Sequence, residues 1–499
     1  MKNILLAIIV ISLILPVAAC SGAPQAEPTA TPTVPTDTPV PSVTASITPS
    51  VTPQPSPTVS PTATVPPPSK PNYVISAQLD YAYRHLSVEE SLTIPNPSDE
   101  PISELILVVQ PNNYPGVFTL REIAWGDGSP VEAYTLQGIR LRIPLDEPLA
   151  PRDERMLSLR YELQMPPLVQ SEEVGPTPFG YTTRQINLVD WYPFVPPYQP
   201  GEGWVVHNPW YYGEHLVFPV ADFDIALTLK NAPNGTMVAA SSLDQGDGET
   251  HRYHLENGRN FVFSVSPSYH RFEQQVGDTT VLGYVFGQYQ SPGVAAFDAT
   301  VESFELYSEL FGPYEQPSLT MVQGDFLHDM EYQGLHFLSR GFFNTYDDKM
   351  GSFLITIAAH ETAHQWWYGI VGNNQALEPW LDEALATYSE RLFYEHLYPD
   401  ALTWWTEQRV HFYQPSGWVD SVLHYTDGYR PYRDAVYLRG ALFLHDLRAV
   451  IGDEAFFAFL KDYTATYRYQ LVDREDFFTT LSKHSQADLS DLLAVYFQE

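Results

Sequence analysis

The spacing of apolar residues changes once along this chain, and that change divides what it can fold into. From about residue 71 to 273 apolar positions recur at every second residue. Ile139-Arg140-Leu141-Arg142-Ile143, Leu157-Ser158-Leu159-Arg160-Tyr161, Phe223-Asp224-Ile225-Ala226-Leu227-Thr228-Leu229 and Phe261-Val262-Phe263-Ser264-Val265 are examples. Successive side chains of a strand point to opposite faces, so this alternation predicts half-buried strands. Asn96-Pro97, Gly126-Asp127-Gly128 and Pro233-Asn234-Gly235 punctuate the runs as turns. The expected body is an antiparallel β-sandwich or barrel-like domain. The acidic run 244–249 lacks the spacing of an EF-hand loop and reads as a solvated hairpin turn. From about residue 281 onward the spacing is helical. Predicted helices cover 297–310, 352–369 with Ser352 as N-cap, 379–397 opened by Pro379, 436–450, 453–463 and 488–497. The expected fold class is α+β and multidomain: a β-rich part followed by a mainly helical one.

The first seventy residues are of another kind. Met1-Lys2-Asn3 is a short basic start, residues 4–17 are largely apolar, and Val17-Ala18-Ala19-Cys20 follows. The apolar run is short for a bilayer span and reads as a secretory signal. Its ending resembles the bacterial lipoprotein signal, which implies that Cys20 is lipidated and becomes the new N-terminus. Cys20 is also the only cysteine, so intrachain disulfides and cysteine-based metal sites are excluded. Residues 21–70 are rich in Pro, Thr and Ser and carry no aromatic residue, the composition of a disordered tether. The expectation is a globular body held outside the cytoplasm on a bacterial membrane by a lipid anchor. A balance of 26 Lys+Arg against 60 Asp+Glu, net −34, argues against nucleic acid as a partner. No later apolar span is long enough to predict a multi-pass membrane domain.

The chemistry concentrates in Ala359-His360-Glu361-Thr362-Ala363-His364. Histidines four apart on a helix share one face and are able to close on one zinc ion. Glu361, one residue on, is turned about 100° around the axis and can act on a water at the metal without ligating it. Hydrolytic zinc needs a third protein ligand and an open fourth position. Glu383, in Trp380-Leu381-Asp382-Glu383, lies nineteen residues after His364 on the next predicted helix, within reach if the connection is short. No G-x-S-x-G elbow is present, and the lone cysteine sits at the expected anchor, so serine and cysteine nucleophiles have no support.

The H-E-x-x-H segment, eighteen intervening residues and a glutamate resemble the aminopeptidase N-like zinc metallopeptidases, which include leukotriene hydrolase relatives. His364-Gln365-Trp366 and Trp380-Leu381-Asp382-Glu383 look like that family's flanking motifs, and Trp191-Tyr192-Pro193 is a weaker match. The lipoprotein pattern and the composition place a signal at 1–19 and the anchor and tether at 20–70, whereas the family resemblance, which covers roughly Tyr73 to Glu499, implies a β-sandwich-like domain at 71–275, a thermolysin-like catalytic domain at 276–451 and a short helical segment at 452–499. It implies one zinc ion on His360, His364 and Glu383, with Glu361 as the general base. Tyr437, in Tyr437-Leu438-Arg439-Gly440-Ala441, matches the tyrosine that stabilises the oxyanion. Glu331, in Met330-Glu331-Tyr332, matches the glutamate that binds a substrate's free α-amine. Gln185 is the β-domain's expected contribution to that amine site, and Glu390 the expected hydrogen-bond partner of a ligating histidine. The implied activity is a zinc aminopeptidase acting on peptides with a free N-terminus. His328-Asp329 stands where the family has small residues, which leaves a zinc endopeptidase open, as does a catalytically silent surface binding lipoprotein. Asp382, Ala384 and Arg439 replace the family's asparagine, glycine and lysine.

Overall fold

A computed structural model describes residues 70–168, 178–424 and 428–498. Cys20, the signal at 1–19 and the tether up to residue 69 lie outside the described residues. Among the described residues no helix is long and apolar enough to cross a membrane.

The alternating half builds three sheets and a two-stranded ribbon, Tyr198–Gln199 with Gly203–Trp204, around one core. The largest has six strands, in spatial order Thr250–Gly258, Ala221–Lys230, Asn72–Asp80, His85–Pro95, Glu154–Gln164 and Phe118–Trp125. In Asn72–Asp80 the residues Tyr73, Ile75, Ala77 and Leu79 are buried while the residues between them reach solvent. The period of two is thus spent on one covered face. A three-stranded sheet (Ile102–Val108, Arg140–Leu149, Thr135–Gln137) and a four-stranded one (Met237–Ala240, Phe263–Ser266, Ile186–Leu188, Gly180–Tyr181) contribute to the same core. An aromatic cluster of Tyr73, Trp191, Tyr192, Phe223, Phe261 and Phe263 fills its centre. The expected all-antiparallel arrangement needs one correction. Asn72–Asp80 and Ala221–Lys230 run parallel, Asn72 opposite Asp222 through Asp80 opposite Lys230. Parallel neighbours need a long crossover, and the chain between them supplies it by building the other strands first.

A five-stranded sheet follows, in the order Tyr269–Val276, Thr279–Phe286, Ser318–Gln323, Leu335–Leu338 and Met330–Tyr332. Its three inner strands are parallel and both edges antiparallel. The sheet separates two cores: Leu282, Tyr284 and Phe286 face the β core, whereas Val281 and Val285 face the helices. The expected domain division at 275/276 falls inside the hairpin that opens this sheet.

The second core begins with helices α1 (Gln290–Phe311), α2 (Arg340–Thr345), α3 (Phe353–Ala363) and α4 (Trp380–Leu397) and takes in later helices as well. Helix α3 ends at Ala363, six residues before the expected end at Gly369. After His364 the backbone turns, with Gly369 N–H donating to His364 O and Val371 N–H to Trp366 O. Tyr368 at the turn has φ of 125°, strained for a residue with a side chain. The buried Arg259 of the β part holds the carbonyls of Tyr368 and Gly369, and Asn260 Nδ2 donates to the Tyr368 hydroxyl at 2.6 Å. The expected helix at 436–450 begins as a π-wound turn, Asp434–Arg439, and continues as Gly440–Ile451. Asp453–Thr466 and Ser490–Tyr496 lie where helices were expected, and Arg474–His484 is an additional one. Residues 452–499 are not a body apart. Phe456, Tyr463, Phe477 and Phe497 share the core of α3 and α4, and Trp380 packs on Phe477 at 5.1 Å and on Phe497 at 5.2 Å.

Candidate metal centre and the pocket beside it

Helix α3 reads Phe-Leu-Ile-Thr-Ile-Ala-Ala-His-Glu-Thr-Ala and is buried from Leu354 to Ala363. A helix this apolar all round belongs inside a core. Ala358, Ala359 and Ala363 on α3, and Ala384 and Ala386 on α4, leave room for close approach. The imidazoles of α3 therefore meet the carboxylate of α4. His360 Nε2 lies 3.2 Å from His364 Nε2 and 3.3 Å from Glu383 Oε2, and His364 Nε2 lies 3.5 Å from Glu383 Oε2. Tetrahedral bonds of about 2.0–2.2 Å put ligand atoms about 3.3–3.5 Å apart, so this triangle has the size that zinc requires. Glu383 Oε2 is buried with no hydrogen-bond partner among the described residues, which also fits a cation there.

The outer nitrogens are fixed by other groups. His360 Nδ1 lies 2.9 Å from Glu390 Oε1, and His364 Nδ1 lies 2.9 Å from the Trp367 carbonyl. Both partners accept, so each Nδ1 carries its proton and each Nε2 turns a lone pair to the centre. Glu390 is itself held by Arg409 at 2.8 and 3.0 Å and by the Trp405 indole at 2.7 Å.

Three further side chains ring the triangle. Glu361 is buried and its Oε2 has no partner among the described residues. Burial, with Glu331, Asp329 and Glu383 adding and His364 opposing, holds its pKa well above the carboxylate range. The Tyr437 hydroxyl donates to Glu383 Oε1 at 2.6 Å, and its ring stacks over His360 at 6.2 Å. Gly440 allows this approach, because a Cβ there would meet Ala384 Cβ at 2.4 Å. Glu331 sits on the edge strand Met330–Tyr332 with Oε1 accepting from Gln375 Nε2 at 3.0 Å. Ligand-capable atoms of Glu331, Glu361 and His364 all lie within 4.8 Å of one another.

Of the residues singled out from sequence, His360, Glu361, His364, Glu383, Glu331, Tyr437 and Glu390 come together here, and Cys20 lies outside the described residues. Gln185 does not join them. Its amide nitrogen faces Ser264 Oγ at 3.0 Å, the Tyr269 hydroxyl at 2.5 Å and the Gln323 carbonyl at 3.2 Å. Its oxygen accepts from Asp325 N–H at 2.8 Å. These contacts fasten the β part to the five-stranded sheet, and Gln185 is fully buried there, away from the triangle. The β part reaches Glu331 through other residues. Ligand-capable atoms of Glu214, Glu331 and Glu383 lie within 4.8 Å of one another. Asp190, the residue before Trp191-Tyr192-Pro193, lines the same cavity. Nothing in the local sequence marks Glu214, which arrives on an irregular segment. Asp329 is tied to the start of α2, its Oδ1 accepting from Ser339 N–H at 2.7 Å.

Comparison with known proteins agrees with this geometry. The Peptidase family M1 domain matches residues 295–496, which include Glu331, His360, Glu361, His364, Glu383 and Tyr437. Aminopeptidase M1-D of Oryza sativa subsp. japonica is 28% identical over 221 residues, 41% of this chain and 25% of that protein. Aminopeptidase N of Lactobacillus delbrueckii subsp. lactis is 23% identical over 308 residues, 56% of this chain and 36% of that protein. The matches thus span about a quarter to a third of these relatives' length. The M1 zinc metallopeptidase from Deinococcus radiodurans shares the fold, with a TM-score of 0.61 at 20% identity over 86% of this chain and 94% of that one. On this fold and with this ligand set, residues 295–496 are similar to the peptidase family M1 domain, and the chain is similar to aminopeptidase N-like proteins.

Proposed function

We propose that the protein is a zinc aminopeptidase that removes single residues from peptides with a free N-terminus. The observation that carries this is the convergence of Glu331, Glu361 and His364 beside the His360–His364–Glu383 triangle. His360, His364 and Glu383 hold the zinc ion, which when bound polarises a carbonyl and lowers the pKa of a water towards about 7. Glu361 takes a proton from the attacking water and returns it to the leaving amine. The Tyr437 hydroxyl, already a donor at the triangle, donates to the oxygen on which charge develops. Glu331 pairs with the substrate's α-ammonium, a charge-assisted contact at a fixed short distance from the reacting centre. That anchoring sets the cut after one residue. The aminopeptidase names of the relatives support the reading.

We extend the proposal to location. The short apolar start, Val17-Ala18-Ala19-Cys20 and the Pro/Thr/Ser tether support an extracytoplasmic protein anchored to a bacterial membrane through lipidated Cys20. The test of the activity uses paired peptides of one sequence, free or N-acetylated, with and without a zinc chelator, read by mass spectrometry. Stepwise loss of single residues from the free peptide only, stopped by the chelator, is the expected result. Internal cuts in both peptides would replace the exopeptidase assignment. No cleavage of any peptide would favour a binding protein.

A further inference from the structure

Beside the metal triangle the β and helical parts enclose a cavity of about 130 Å³. Each water occupies about 30 Å³ of liquid, so this is room for about four waters, the scale of one amino-acid side chain. Three carboxylates line it: Asp190, Glu214 and Glu331. No lysine or arginine lines it, and burial lowers its one histidine, His215, to about 4, leaving that ring uncharged. Asp190 is 8% exposed, and its Oδ1 has no hydrogen-bond partner among the described residues. The same holds for Glu214 Oε2. A buried carboxylate without a partner is costly, and natural sites give it a cation.

One α-ammonium does not answer three carboxylates. Glu214 and Glu331 converge on the metal side, where their oxygens and those of Glu383 lie within 4.8 Å of one another. Asp190 belongs to no such group. It holds the cavity wall from a left-handed turn, φ 48°, just before the buried Trp191. Burial, with Glu331 adding, lifts its carboxyl to about 7, the response of an acid lacking a counter-charge. Tyr114, Trp210 and Tyr368 also line the cavity, and aromatic rings accept a cation better than a neutral polar group.

Resting on the aminopeptidase reading, we propose that this cavity receives the side chain of the residue removed and selects basic ones, with Asp190 as the counter-charge. The substrate class is peptides beginning with arginine or lysine. The α-ammonium lies between Glu331 and Glu214, and the guanidinium or ε-ammonium reaches Asp190.

The test compares arginyl and citrullinyl fluorogenic amides with the zinc-loaded full chain, since citrulline is a near-isostere without the charge. The expected ratio of kcat/KM is at least about tenfold for arginine, and Asp190→Asn brings it to within about threefold of one. Asparagine tolerates the left-handed backbone, and Asp190→Gly is the second variant should it misfold. A wild-type ratio near one, or a ratio unchanged in both variants, overturns the role of Asp190 while the aminopeptidase reading stands. Failure to hydrolyse either amide, or any other aminoacyl amide, overturns that reading. Calorimetry with L-arginine and L-citrulline then decides the pocket separately. Arginine bound about tenfold tighter, with the difference lost in Asp190→Asn, upholds the selectivity of the cavity, and equal binding overturns it.

Discussion

Glu90 offers a quantitative check on the β part of the fold. It is the one ionisable side chain on the buried face of His85–Pro95, 2% exposed, amid Leu86, Val88, Leu92 and Ile94. The Tyr161 hydroxyl donates to its Oε2 at 2.9 Å, while Oε1 has no partner among the described residues. Burial therefore outweighs the single hydrogen bond and lifts its pKa from 4.5 to about 8. The sign follows from linkage. In the fold Glu90 keeps a proton that the unfolded chain releases above about 4.5, so stability falls as pH rises from about 4.5 to about 8. At about 1.36 kcal/mol per pH unit, the full span bounds the cost at about 5 kcal/mol, of which about 3 kcal/mol is reached by pH 7. Glu90→Gln keeps the shape and the acceptor for Tyr161 and removes the titration. Urea unfolding of both proteins at pH 5, 6, 7 and 8 should show near-equal stability at pH 5 and a variant more stable by about 2–4 kcal/mol at pH 7–8. A difference that stays constant across this range, or a variant that loses stability as pH rises, would refute the account of Glu90 as a neutral buried acid.

Other perturbations probe the site. Glu361→Gln should bind zinc stoichiometrically by elemental analysis and lose about 10²–10⁴-fold in turnover, whereas near-normal turnover would remove Glu361 as the base. Tyr437→Phe should lower kcat by about 10²–10³-fold with KM little changed, because its donor acts on charge that develops only in the transition state. Gly440→Ala drives a Cβ into Ala384, so a loss of about 1–3 kcal/mol in stability together with reduced kcat is expected, and a fully active, equally stable protein would contradict the tight packing of that helix on α4.

These residues also show which parts of a site a sequence exposes. His360, Glu361, His364 and Glu383 are legible because they sit on two successive helices, where helical spacing alone converts positions into directions. Even there, tertiary contacts overrode the local pattern. The chain leaves α3 at His364 because Arg259, a hundred residues earlier, binds the carbonyls that follow. Tyr269–Val276 carries apolar residues only at 269, 272 and 276, so a period of two does not mark this strand or the sheet it joins. Arg474–His484 had a signal, the capping box of Asp473 and Asp476, that apolar spacing alone does not weigh. Gln185 shows the opposite failure: a polar residue at a plausible place in a motif was absorbed by Ser264, Tyr269 and Asp325 into the joint between the two parts. Glu214 and Asp190, the charges that do face the cavity, come from an irregular segment and a left-handed turn, where no periodicity ties position to direction. The reacting groups lie on regular elements that propensity and packing define locally. The groups around the substrate's first residue are gathered from distant segments, so the chemistry is legible in the sequence before its selectivity is.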